Sequence, residues 1–213
     1  MLALLHTSPV HIPVFDALRD ENHRGLELRH FVDESLLDRA REKGPEAVTD
    51  DVRAVLERAV ADGARAVLCT CSTLGGVAEE AAVGIGVPVL RGDRPMAAAA
   101  VAAGSRVVVL GTVESTFGPT ASLIEEEARR AGRPVDVRAR LVAGAWPRFE
   151  AGDLEGYARL VAAAADEVTD ADAIVLAQPS MAPARQLTTT PVPVLSSPRQ
   201  GLAAGARAAG PPG

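Results

Sequence analysis

Aromatic residues are scarce in this sequence, 3% in all with one tryptophan and one tyrosine. That scarcity argues against the stacking platforms of single-strand nucleic-acid binders and against stacked carbohydrate sites. A basic stripe is missing as well. The 22 Lys and Arg are outnumbered by 28 Asp and Glu, the net charge is −6, and the two signs are interspersed, so a phosphate backbone finds no electrostatic footprint. Long apolar runs are absent from the start of the chain, where MLALL gives way at once to HTSPVH, too short for a signal-peptide core. A cytoplasmic protein with neither a nucleic-acid nor a membrane partner is the expectation. Cysteine is confined to Cys69 and Cys71, a spacing that matches no zinc template, and the four histidines (His6, His11, His23, His30) form no H-E-x-x-H pattern. No G-x-G-x-x-G or Walker-type loop follows a strand, so neither a metal nor a nucleotide cofactor is expected.

What is present reads as an ordinary globular composition, 47% hydrophobic and 23% charged. Short β-branched runs alternate with longer Ala, Glu and Arg-rich segments of helical period, the pattern of a layered α/β protein. Strands are predicted at 2–6, 26–31, 65–70, 87–91, 106–111, 135–142, 173–178 and 192–196. Helices are predicted over TDDVRAVLERAVADG and DLEGYARLVAAAADEV, opened by a capping Thr and a capping Asp. The chain also repeats itself. Val87 to Leu90 matches Val192 to Leu195 at an offset of 105, Thr7 matches Thr112 at the same offset, and ARAVLCTCST aligns with ADAIVLAQPS so that Cys71 meets Gln178 and Thr73 meets Ser180. Two similar α/β halves follow, residues 1–95 with 196–213 and residues 96–195.

In open parallel sheets ligands gather at the carboxyl ends of the strands. There this chain carries small hydroxyl residues: HTSP, CSTLGG, GTVEST and QPSM. Hydroxyls and backbone N–H groups suit a small anion such as a carboxylate, although each alone could be a helix cap. Cys69, inside the apolar run, reads as a buried strand residue. Cys71 ends the strand beside Ser72, Thr73 and two glycines, a setting for a reactive thiol. The two cysteines are expected on opposite faces of the strand, which disfavours a disulfide between them. Asp33 and Glu34, after the second strand, read as capping or solvated residues that could also reach a ligand. No arginine stands in the strand-end motifs, which counts against an acidic substrate.

In order and content, HTSP, DESLL, Cys-Ser-Thr at 71–73, GTVEST and ADAIVLAQPSM together with the duplication make the sequence resemble the aspartate/glutamate and hydantoin racemase superfamily, which includes maleate isomerases and arylmalonate decarboxylases. The resemblance implies two pseudo-symmetric, flavodoxin-like α/β/α halves with parallel four-stranded sheets and a central cleft, and a cofactor-independent, PLP-independent enzyme acting on a small carboxylate or cyclic amide. It implies Cys71 as the first-half thiol, with Ser8, Ser72, Thr73, Thr112, Ser115, Thr116 and Met181 at the substrate. Gln178 stands where the racemases of this family have a second cysteine, and an amide cannot exchange a proton near neutral pH. Ser180 or His6 are the candidates to replace that base; a single-thiol decarboxylase or isomerase, or a small-carboxylate binding protein, are the alternatives. Homo-oligomerisation is left open.

Overall fold

The computed structural model describes residues 1–211. The chain forms two compact units, Met1–Asp93 with Pro198–Gly213, and Arg94–Ser197. In the first, strands β1 (Leu2–His6), β2 (Leu28–Val32), β3 (Ala66–Cys69) and β4 (Val89–Arg91) form a parallel sheet in the order β2-β1-β3-β4. In the second, β5 (Arg106–Gly111), β6 (Asp136–Leu141), β7 (Ala173–Leu176) and β8 (Val194–Ser196) repeat that order as β6-β5-β7-β8. The same topology arises twice because the same succession of apolar runs occurs twice.

Strands covered on both faces become continuous hydrophobic runs. β1 (LALLH), β3 (AVLC) and β7 (AIVL) are buried throughout. Their alternate side chains feed two separate cores in each unit. Leu2, Leu4, Ala66 and Leu68 pack with Phe15 of α1 (Ile12–Asn22) and Leu202 of α9 (Ser197–Ala209). Ala3, Leu5, Val67 and Cys69 pack on the other face with Leu36 of α2 (Glu34–Lys43), Val52 and Leu56 of α3 (Thr49–Ala61), and Val77 of α4 (Gly75–Ala81). In the second unit Val107, Val109, Ala173 and Val175 meet α5 (Arg94–Ala103) and α6 (Phe117–Ala131). Val108, Leu110, Ile174 and Leu176 meet Ala145 of α7 (Ala145–Glu150) and Tyr157 and Val161 of α8 (Leu154–Asp166). Each fully buried leucine on these faces contributes roughly 1.5–3 kcal/mol. Edge strand β6 is largely exposed and carries Arg138 and Arg140, charges that discourage pairing with another sheet.

Helix starts follow their caps in part. Asp153 accepts a hydrogen bond from the Gly156 N–H and opens α8. The expected Thr cap on α3 is not made: Thr49 is already inside the helix and its hydroxyl donates to the Glu46 carbonyl of the preceding 3-10 turn, leaving Val48 at the cap position. The turn of Pro45–Val48 brings the chain into the helix and replaces a side-chain cap. Among the described residues no helix is long and apolar enough to cross a membrane.

Candidate functional site

In the first unit the ends of β1 and β3 hold the polar residues. Cys69 is the last residue of β3, 1% exposed, and burial pushes its thiol well above the usual range. Its Sγ donates weakly to the Cys71 carbonyl, 3.7 Å away. Cys71, two residues past Cys69, is partly exposed and touches the same core. The opposite-face expectation is therefore overturned, because side chains two apart on a strand share a face. Both thiols are free. Ser72 and Thr73 are buried beside Cys71 in the turn that leads to α4, while Ser8 is half-buried after β1 and makes no side-chain cap.

His6 ends β1 fully buried, and desolvation, helped by His30 and His11, pushes its pKa down to about 3. It lies in a chain of polar contacts: Nδ1 is 2.8 Å from Thr70 Oγ1, and Nε2 is 2.9 Å from His30 Nδ1. Since the Thr70 hydroxyl donates to the Leu5 carbonyl, it must accept from His6 Nδ1–H, and His6 Nε2 then accepts from His30. His30 Nε2 is in turn 3.4 Å from Asp16. A ring so committed is a poor replacement base. Asp33 is a cap: its carboxylate accepts from the Ser35 N–H and hydroxyl at the start of α2.

One arginine escaped the sequence reading. Arg91 ends β4 and is 6% exposed; its Nε and Nη2 donate to both oxygens of Asp93 (2.7 and 2.9 Å), which is 3% exposed, and Nη2 approaches the Ser72 carbonyl at 3.5 Å. A Cβ at Gly75 would sit 2.8 Å from Arg91 Nε, so glycine is needed there for the guanidinium to pass. This pair braces the Cys71 turn from below, and Asp93 balances the arginine's charge. The signal in sequence was a charged residue ending a buried strand, opposite Ser196 in the repeat.

In the second unit the strand-end residues form a tighter cluster. Gln178, two residues past β7 and 7% exposed, accepts through Oε1 from both the Thr112 N–H (2.7 Å) and the Thr112 hydroxyl (2.8 Å). The Tyr157 hydroxyl lies 2.8 Å from Ser180 Oγ and 3.5 Å from Thr112 Oγ1. Tyr157 comes from α8 and is 1% exposed, and burial raises its pKa above 10.0. Ser180 thus has a neutral phenol for a partner, and no base among the described residues is hydrogen-bonded to it. The Thr116 hydroxyl donates to the Val113 carbonyl, whereas Ser115 Oγ is buried with no hydrogen-bond partner among the described residues. Met181 is fully buried and packs in the hydrophobic core with Leu176 and Tyr157. No group of three or more His, Cys, Asp or Glu among the described residues is arranged to hold a metal ion.

The model of the Asp/Glu/hydantoin racemase family matches residues 3–205. Comparison with curated proteins finds no match. Among solved structures, the aspartate racemase of Picrophilus torridus is similar at 15% identity and a TM-score of 0.67, covering 98% of this chain and 94% of that one. The glutamate racemase of Francisella tularensis, solved in complex with D-glutamate, is similar at 12% identity and a TM-score of 0.70, covering 95% and 78%. The Gly74Cys variant of arylmalonate decarboxylase, in a sulfate-associated form, is similar at 19% identity and a TM-score of 0.68, covering 98% and 93%. With two parallel four-stranded sheets of the same order and a family match over nearly its whole length, the chain belongs to the Asp/Glu/hydantoin racemase family.

Proposed function

We propose that this protein is an enzyme that acts at the α-carbon of a small carboxylate or cyclic amide, with the Cys71 thiol as the group that moves the proton. The observation that carries the reading is the contrast between the two thiols: Cys71 is partly exposed between buried hydroxyl residues at the strand end, and Cys69 is sealed in the core. In this scheme the Cys71 thiolate takes the α-proton, and the electron pair of the C–H bond passes into the carboxylate as an enediolate. Ser72 and Thr73, buried beside Cys71 in the same unit, are assigned as donors for that charge. Ser8 is assigned to the same substrate.

A second reading is favoured by Gln178. An amide at the place equivalent to Cys71 offers no proton exchange, so a reaction needing only one thiol, such as protonation of an enolate left by decarboxylation, suits the residues as well as racemisation does. The relationship to arylmalonate decarboxylase supports that alternative.

The test is alkylation with iodoacetamide during turnover of a panel of glutamate, aspartate, hydantoins and arylmalonates. Activity is expected to fall in proportion to modification of Cys71, with Cys69 unmodified. Protein fully alkylated at Cys71 that keeps its turnover would refute the assignment.

A further inference from the structure

We infer that Thr70, His6, His30 and Asp16 form a pH-sensitive switch leading to the Cys71 turn, in which one proton gained or lost at His30 reverses the hydrogen bonds from His30 through His6 to Thr70. All four residues belong to the first unit. The row starts at the partly exposed Asp16 of α1, passes through His30 of β2 and the fully buried His6 that ends β1, and stops at Thr70, directly before Cys71. In one order the Thr70 hydroxyl donates to the Leu5 carbonyl at 3.1 Å, His6 Nδ1–H donates to Thr70 and His30 Nδ1–H donates to His6 Nε2. His30 Nε2 then faces an Asp16 oxygen at 3.4 Å, where a bare nitrogen would set its lone pair against a carboxylate. Both nitrogens of His30 donate in this order, and the imidazolium pairs with Asp16.

The other order holds one proton fewer. His30 gives a proton to solvent and keeps the one on Nε2 for Asp16, so its Nδ1 accepts from His6 Nε2–H. The single proton of His6 has moved from Nδ1 to Nε2, and the Thr70 hydroxyl turns from Leu5 to donate to His6 Nδ1. The Leu5 carbonyl keeps the Thr70 N–H at 3.0 Å, so no buried group is orphaned. His6 passes the change along without storing charge, because burial, with His30 and His11, lowers its pKa to about 3. The neighbours leave the row intact. The His11 ring, in the 3-10 turn Pro9–His11, lies 6.3 Å from that of His6 and is lowered to about 4 by burial. Asp33 gives its N–H to the His6 carbonyl while its carboxylate accepts from Ser35. Arg19 shares the Asp16 oxygen with His30, also at 3.4 Å. Thr70 pins β3 to β1 through its N–H and its hydroxyl, and the second order takes the hydroxyl out of that pin one residue before Cys71.

Imidazole nitrogen NMR of the whole protein across a pH series reads both rings. His6 is expected to stay singly protonated, and its proton to move from Nδ1 to Nε2 at the pH where His30 loses its own. Asp16→Asn is expected to lower that midpoint by about 0.2–0.7 of a pH unit and to carry the His6 change with it. The alkylation rate of Cys71 by iodoacetamide is expected to show an added inflection at the same midpoint, displaced equally in Asp16→Asn and absent in His30→Gln. A His6 proton that stays on one nitrogen while His30 titrates overturns the inference, as does a His6 ring that takes up a second proton before His30 does. A His30→Gln alkylation profile identical to that of the wild type overturns the link to the Cys71 turn. Alkylation needs no substrate, so each of these outcomes is separate from the success or failure of the function proposed above.

Discussion

Replacing His6 by glutamine keeps a donor and an acceptor at the end of β1 and removes a ring that titrates. The wild-type ring starts from a reference value of 6.5 and is pushed down to about 3 in the folded state, first by burial and then by His30 and His11. A depressed histidine pKa means that the unfolded chain takes up the proton before the folded one. Stability is thus full above about pH 6.5 and is lost as the pH falls towards about 3. At about pH 5 the unfolded chain is favoured by roughly 1.5 units of pH, or about 2 kcal/mol at 1.36 kcal/mol per unit. His11, lowered to about 4 by burial, adds in the same direction. Urea denaturation followed by far-UV circular dichroism at a series of pH values between about 5 and 8 measures the effect. His6→Gln is expected to be less stable than wild type at the alkaline end, where it gives up a fitted ring beside Thr70 and His30, and to recover about 2 kcal/mol relative to wild type at about pH 5. Parallel pH curves for the two proteins would show that His6 is protonated in the folded state, and the hydrogen-bond order derived for the Thr70 to Asp16 chain would be wrong.

Other substitutions probe the braces around the strand ends. Asp93→Ala leaves the Arg91 guanidinium buried without its carboxylate, and a loss of about 3–5 kcal/mol is expected in urea melts; a loss under about 1 kcal/mol would mean that water reaches Arg91. Tyr157→Phe deletes a hydroxyl bonded to Ser180 and near Thr112, and should cost about 1–2 kcal/mol, with no change in the alkylation rate of Cys71.

The fold was legible because a doubly covered parallel strand must be an unbroken apolar run, and LALLH, AVLC, RVVVLG and AIVL are short runs of that kind. The reading overran β3 at Thr70 and β7 at Ala177 and Gln178, because apolar or polar character does not reveal where ladder pairing stops. The repeat pairs Cys71 with Gln178, and each stands two residues past the end of its strand, β3 and β7. What lay beyond reach was side-chain company. Nothing in the local pattern of α8 says that Tyr157 will meet Ser180, or that Arg91 will fold back on Asp93 under the Ser72 carbonyl. Gln178 looked like the mere loss of a thiol, and its orientation required the position of Thr112, 66 residues away. Cys69 and Cys71 border one core, as side chains two apart along an extended chain do.

The most direct test of the central claim is incorporation of solvent deuterium at the α-carbon of amino acids, hydantoins and arylmalonates, followed by mass spectrometry, with wild type beside Cys71→Ala. The account expects at least one carboxylate or cyclic amide to take up deuterium with the wild type and none above background with Cys71→Ala, both proteins melting at the same temperature. Equal incorporation by the two proteins would contradict it; so would no incorporation by either when a ligand raises the melting temperature of both alike.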